Sequence, residues 1–155
     1  MIGNDIIDLQ KASIDSNWRR KGFLQKIYTE QEQQIILTAA DPSLMVWLLW
    51  SMKESAYKIH SRLTQWNAFA PTKICCISLT LKTGIAYGTV ICKKSTYFTQ
   101  SSLSEDFIHT IASQNFPIEQ LRINISSYNP QDRSYKNTMP STVSHHGRYL
   151  ALAYL

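Results

Sequence analysis

The sequence predicts an α+β fold, an antiparallel sheet packed against helices, and three observations carry that reading. Capped helical segments crowd the first sixty residues, a period-two alternation sets in near Ile74, and the two patterns mix with no linker or break in composition. With 155 residues the chain is long enough to bury one core, so residues 1–155 read as a single domain.

Each element has a local reason. Ile2 to Asp8 reads as a short strand, polar at Asn4, Asp5 and Asp8. Thr29 and Glu32 make a capping box, in which hydroxyl and carboxylate satisfy the free N–H groups of a helix start, and that helix runs to about Ala40. Asp41-Pro42 opens the next, because aspartate caps and proline fits the first turn; it spans about Pro42 to Arg62. Cys75, Ile77, Leu79 and Leu81 then alternate with Ile74, Cys76, Ser78 and Thr80 as a strand. Lys82-Thr83-Gly84 turns into a second strand, Ile85 to Cys92, and Ser95 to Gln100 forms a third. Ser102 with Glu105 reads as another capping box, opening an amphipathic helix with Phe107, Ile108, Ile111 and Ala112. Strands are expected again at Leu121 to Ser127 and at Thr142 to Leu155.

Composition narrows the class. A hydrophobic fraction of 44% with 17% charged residues is that of a globular protein. The most apolar stretch, Leu44 to Trp50, is too short to span a bilayer, and no secretory signal is seen at the start. Cys75, Cys76 and Cys92, odd in number and two of them adjacent, suit free thiols in a reducing cytoplasm, and no zinc spacing is present. The net charge of +5 suits an acidic partner or a phosphate-rich ligand without choosing between nucleic acid, coenzyme and acidic protein.

The informative segment is Trp50-Ser51-Met52-Lys53-Glu54-Ser55-Ala56-Tyr57-Lys58. At 100° per residue, Trp50, Lys53, Glu54, Tyr57 and Lys58 share one face, opposite Leu48, Met52, Ser55, Ala56 and Ile59. The first face holds a hard oxygen ligand suited to Mg²⁺ and amines suited to phosphate. Alone it reads first as an ordinary i,i+4 surface pair of Glu54 and Lys58. Two further segments tip the balance. An acidic residue in the apolar strand Ile2-Gly3-Asn4-Asp5-Ile6-Ile7-Asp8 needs a partner, which a metal ion supplies, although a strand-end aspartate capping a helix is the plainer alternative. Ser144-His145-His146-Gly147-Arg148 crowds hydroxyl, imidazole and guanidinium groups before an apolar strand, in what is otherwise a polar loop.

Together these segments resemble the 4′-phosphopantetheinyl transferase superfamily, with its Gly-x-Asp strand and its Trp/Phe-Ser/Ala-x-Lys-Glu-Ala/Ser-x-x-Lys helix. Here these stand as Gly3-Asn4-Asp5 and Trp50 to Lys58. The segment Phe23 to Glu32 resembles the Phe-x-x-x-Ile-x-Thr-x-x-Glu of the small holo-acyl-carrier-protein synthase type, and Thr142-Val143-Ser144-His145 its closing Ser-x-Ser-His. The resemblance implies an enzyme that moves phosphopantetheine from coenzyme A to a serine of an acyl or peptidyl carrier protein, releasing 3′,5′-ADP. Asp5 and Glu54 would hold Mg²⁺, Lys58 would neutralise developing charge, and Glu54 or a metal-held water would take the serine proton. Lys53, Lys58 and His145 would meet the coenzyme, and Asp8 would orient metal-bound water.

Departures are visible as well. The acid that the double-length members carry two residues after the aspartate is Ile7, the Gly-Thr-Gly after the helix is replaced by His60-Ser61-Arg62-Leu63-Thr64, and the usual histidine before Ser-x-Ser-His is Pro140. Arg62 or His60 would then replace the missing adenine and 3′-phosphate contacts. Lys11, Arg19 and Arg20, with Lys21 and Lys26, form a basic patch for an acidic carrier protein. The type also implies a homotrimer. Two other readings stay open: a homologue that binds coenzyme A or a carrier without transfer, and a basic nucleic-acid module, for which no helix-turn-helix, zinc-finger or RNA-binding aromatic signature is present.

Overall fold

The computed structural model describes residues 1–66, 68–115 and 117–155. Its order is β1 (Ile2–Asp8), α1 (Leu9–Asp15), α2 (Phe23–Ile27), α3 (Glu30–Thr38), α4 (Pro42–Thr64), β2 (Ile74–Lys82), β3 (Ile85–Cys92), β4 (Ser95–Leu103), β5 (Phe107–Ser113), β6 (Arg122–Ser127), β7 (Thr142–His146) and β8 (Tyr149–Tyr154). The strands form a five-stranded sheet in the order β1-β5-β4-β3-β2 and a three-stranded sheet in the order β6-β8-β7. All the pairs within them are antiparallel, so the expected α+β architecture stands.

Helix α4 is the spine. Asp41 caps it by accepting the Leu44 N–H at 3.0 Å, with Pro42 in the first turn. Leu48, Leu49, Met52, Ala56 and Ile59 are wholly buried against one face of the larger sheet. The larger of these side chains contribute about 1.5–3 kcal/mol each by leaving water. The opposite face of β1 and β5 is covered by the smaller sheet, through Ile2, Ile111 and Ala153.

One expected helix is a strand. The segment from Phe107 pairs with β1 on one side and β4 on the other as β5. Ser102 lies within β4, and the turn is made instead by Ser104, whose hydroxyl accepts the N–H groups of Asp106 and Phe107. Both faces of β5 are covered, so its apolar residues do not alternate and mimic a helical pattern. The expected C-terminal strand is likewise two, β7 and β8, which turn at Gly147 (φ 53°).

The two sheets meet along β1, whose free edge is capped by side chains and not by a strand. Thr142 donates to Asn4 Oδ1 at 3.0 Å, the Ile6 N–H to Ser144 Oγ at 3.1 Å, and the Asp8 N–H to His146 Nδ1 at 2.9 Å. Both chains advance by two residues between contacts, so one face of β7 caps the Ile6 and Asp8 amides of the β1 edge, while Arg62 and Lys58 of α4 meet the Ile2 and Asn4 carbonyls.

A second junction lies inside the core. Lys53 Nζ meets Glu32 Oε2 at 2.6 Å, and both side chains are fully buried. Lys53 also donates to the carbonyls of Ile27 at 2.9 Å and Pro71 at 2.8 Å. Glu32 accepts the N–H groups of Thr29 at 2.8 Å, completing the capping box, and of Cys76 at 2.7 Å. Breaking such a pair leaves an uncompensated buried charge. Lys53→Met is therefore expected to cost about 3–5 kcal/mol in urea unfolding. Adding Glu32→Leu should not restore stability, because the Thr29 and Cys76 amides then lose their acceptor. A loss below about 1 kcal/mol for Lys53→Met would contradict this role.

Candidate functional site

The site begins with a close approach. A Cβ at Gly3 would run into the Ser55 carbonyl of α4 and sit 3.1 Å from Ile59. Glycine alone lets β1 lie against the helix backbone here. The pleat then turns Asp5, two residues on, toward the same helix, where Ser51, Glu54 and Lys58 surround that point of contact.

Asp5 is buried. Its Oδ1 accepts from Ser144 at 3.2 Å and lies 3.5 Å from Lys58 Nζ, whose stronger bond is to the Asn4 carbonyl at 2.6 Å. Its Oδ2 has no hydrogen-bond partner among the described residues, and neither has the nearby Ser51 hydroxyl. Burial raises the Asp5 carboxyl above its ordinary range, against the pull of the Lys58 ammonium and the Ser144 hydroxyl. Glu54 is pushed up to about 7, first by burial and then by the charge of Asp5, with Lys58 opposing. Both carboxyls line one cleft of about 290 Å³ with His145, His146, Trp47 and Trp50.

Two buried carboxyls, the charge of Asp5 opposing ionisation of Glu54 and Asp5 keeping an orphaned oxygen, form a place for a cation. The donors are hard oxygens, which suits Mg²⁺. Among the described residues no three His, Cys, Asp or Glu side chains gather as a metal site. An ion here would draw its remaining ligands from substrate and water.

Not every candidate residue arrives at this cleft. Lys53, expected beside Glu54 on an open face, is wholly buried, and its three acceptors are all protein groups. The helical wheel is correct, but the chain from α2 to α3 and the turn at Pro71–Lys73 cover that side of α4. Asp8 does not share the face of Asp5, since three steps along a strand reverse the side. Its carboxylate caps α1 through the Gln10 and Lys11 amides and is gripped by Arg148 through N, Nε and Nη2 at 2.9–3.0 Å. Those bonds hold its carboxyl well below the usual range and leave it no water to orient. His60 is buried, with Nδ1 2.8 Å from the Tyr97 hydroxyl, so it is no surface contact for a nucleotide.

The others remain accessible. Arg62 is exposed, and its Nη1 donates to the carbonyls of Ile2 at 3.2 Å and Ser141 at 3.5 Å. His145 is exposed on β7 at the cleft and stacks on Tyr128, with centroids 4.1 Å apart. Lys11, Arg19 and Arg20 are exposed, Lys11 paired at 2.8 Å with Asp15 of the cleft wall and Arg19 over the Trp18 ring at 4.2 Å. Arg19 and Trp18 line a neighbouring groove of about 340 Å³, which shares Ser16 and Trp47 with the carboxylate cleft. Sequence reasoning missed Ser51, one turn before Glu54, and His146, whose signal was its two-residue step from Ser144.

The chain matches the family model described as the 4′-phosphopantetheinyl transferase superfamily over residues 1–114. Its fold is similar to that of the Thermotoga maritima holo-[acyl-carrier-protein] synthase, with a TM-score of 0.52 at 14% identity, covering 99% of this chain and 83% of that one. No curated protein matches at a significant level.

The raised Glu54 carboxyl has a measurable consequence. The folded chain holds this proton more tightly than the unfolded chain, and the stabilisation, complete below the ordinary carboxylate range, is lost as pH rises through about 7. Without divalent metal, Glu54→Gln should melt with the wild type near pH 4 and above it at pH 8. Equal melting temperatures at pH 8 would contradict the strained carboxylate pair.

Proposed function

Since the chain belongs to the 4′-phosphopantetheinyl transferase superfamily, we propose that it transfers 4′-phosphopantetheine from coenzyme A to a serine hydroxyl of an apo-acyl or peptidyl carrier protein. The reaction depends on Mg²⁺, releases 3′,5′-ADP and is of the holo-acyl-carrier-protein synthase type. One observation carries the reading: Asp5 and Glu54, from two elements pressed together at Gly3, share a cleft beside Lys58.

Asp5 and Glu54 are assigned to the ion, which when bound neutralises charge on the coenzyme pyrophosphate. The carrier serine oxygen attacks the β-phosphorus, and the bond from that phosphorus to the oxygen bridging to the adenosine side breaks. Glu54, or a water held by the ion, is assigned to take the serine proton. Lys58, with two of its donors on Asn4 and Asp5, directs its remaining N–H at phosphate oxygen as charge builds there. His145 and Arg62 stay assigned to the coenzyme. Lys53 leaves that set, because it has no donor left to give.

The carrier docks on the side of Lys11, Arg19 and Arg20. The net charge of +5 supports an acidic partner there, and the absence of any nucleic-acid-binding signature disfavours the other polyanion. Residues 1–155 act as one domain, a reading supported by Ser144 of the smaller sheet reaching Asp5 of the larger. The free cysteines suit the cytoplasm, and among the described residues no helix is long and apolar enough to cross a membrane.

A homotrimer is part of the proposal. The face of the larger sheet turned away from α4 carries Tyr87 and Phe98, 37% and 55% exposed, and Gln100 Oε1 is buried there without a partner among the described residues. A second copy would cover the rings and supply a donor. Light scattering on the active protein should give three times the chain mass, and a fully active monomer would remove the trimer.

Mass spectrometry of apo-carrier proteins incubated with enzyme, coenzyme A and Mg²⁺ tests the reaction. The expected result is one added phosphopantetheine on the carrier serine, lost on chelation and in Asp5→Ala or Glu54→Ala, each still folded. Near-wild-type turnover in either variant would refute the metal assignment. Coenzyme A bound without any transfer would make this a non-catalytic homologue.

A further inference from the structure

His146 is taken up by nothing in the reaction described above, yet its ring lines the carboxylate cleft. The Asp8 backbone N–H points at its Nδ1 from 2.9 Å. A backbone amide donates and cannot accept, so Nδ1 must offer its lone pair, and the neutral ring carries its proton on Nε2. Among the described residues the ring's one hydrogen bond is this one at Nδ1, which leaves the Nε2 donor edge unused. In that tautomer the ring cannot ligate a metal through Nε2.

The ring is also held still. Asp8, whose amide fixes it, is anchored by three nitrogens of Arg148, and a Cβ at Gly147 would run into the Asp8 carboxyl. The hairpin turn between β7 and β8 thus locks Asp8, and Asp8 locks the imidazole. A fixed, uncommitted N–H donor at the wall of a cleft is a site for an anionic oxygen. Asp15, the other acid at that wall, is paired with Lys11 at 2.8 Å.

We propose that His146 is a substrate-binding residue whose Nε2–H donates to a phosphate oxygen of the coenzyme A pyrophosphate in the cleft it lines with the carboxylates; this rests on the coenzyme A reading above. His145, the neighbour that the family motif singles out, is stacked on Tyr128, and among the described residues no hydrogen bond fixes its tautomer.

The two nitrogens can be tested separately. In His146→Gln the side-chain amide nitrogen takes the place of Nε2 and the Nδ1 acceptor is lost. In His146→Asn the amide oxygen takes the place of Nδ1 and the Nε2 donor is lost. By calorimetry, His146→Asn should bind coenzyme A about 10- to 100-fold more weakly, the worth of a hydrogen bond to a charged group, while His146→Gln stays within about threefold of the wild type. Melting temperatures should rank the other way, since only His146→Asn keeps the Asp8 amide satisfied. In transfer assays the KM for coenzyme A should rise in His146→Asn with the KM for the carrier unchanged. Unchanged coenzyme A affinity in both variants, or affinity that falls with melting temperature and not with the donor, overturns the proposal. So does a rise confined to the carrier KM. A wild-type protein that binds coenzyme A without transferring it would end the transferase reading and leave this inference standing; one that binds no coenzyme A would end both.

Discussion

The approach of β1 to α4 at Gly3 is the contact on which the site depends. A strand side chain normally keeps a helix roughly ten ångströms from a sheet, and hydrogen there in place of Cβ brings backbone against backbone. The gain is positional. Asp5 reaches the same turn of α4 that presents Glu54 and Lys58, and two carboxyls that would repel in water are held together out of it. Their raised proton affinities record the strain, which a cation and a polyphosphate relieve. Two buried polar atoms left without a partner among the described residues, Asp5 Oδ2 and the Ser51 hydroxyl, thus lie where the proposed ligands bind.

Lys53 and Glu32 show the contrasting use of charge. Lys53 and Glu54 are adjacent in one motif, yet one is a strut and the other faces the cleft. The strut joins four parts of the chain that share no backbone ladder: the end of α2, the start of α3, the turn before β2, and β2 itself. Buried ion pairs often add little over an apolar replacement, but this one also terminates two amides and two carbonyls. A motif residue here stabilises the platform on which the reacting groups stand.

Features whose cause lies within a few residues were legible in the sequence. The Thr29–Glu32 box and the Asp41-Pro42 start of α4 were of this kind, as was the hairpin at Gly84. The pairing of Gly3-x-Asp5 with the Glu54 to Lys58 turn was legible only through the family pattern, because nothing local says that these segments touch. What failed depended on distant partners. The strand β5 looked helical because both its faces are covered, and Lys53 looked open because the chain that buries it comes from elsewhere. Asp8 was expected to orient metal-bound water, but Arg148, 140 residues away, holds its carboxylate.

The side-chain seam between β1 and β7 has a bearing on how the chain comes to be folded. Asp5 and Ser144 are separated by 139 residues, and β1 finds its ladder partner only at β5. At ordinary elongation speeds, on the order of ten seconds pass between synthesis of one side of this seam and the other. During that interval an apolar strand has neither its sheet nor its cap. The seam can form only once β7 has been made, and a nascent or truncated chain lacking β7 leaves Asp5 without its Ser144 partner and the Ile6 and Asp8 amides without their acceptors.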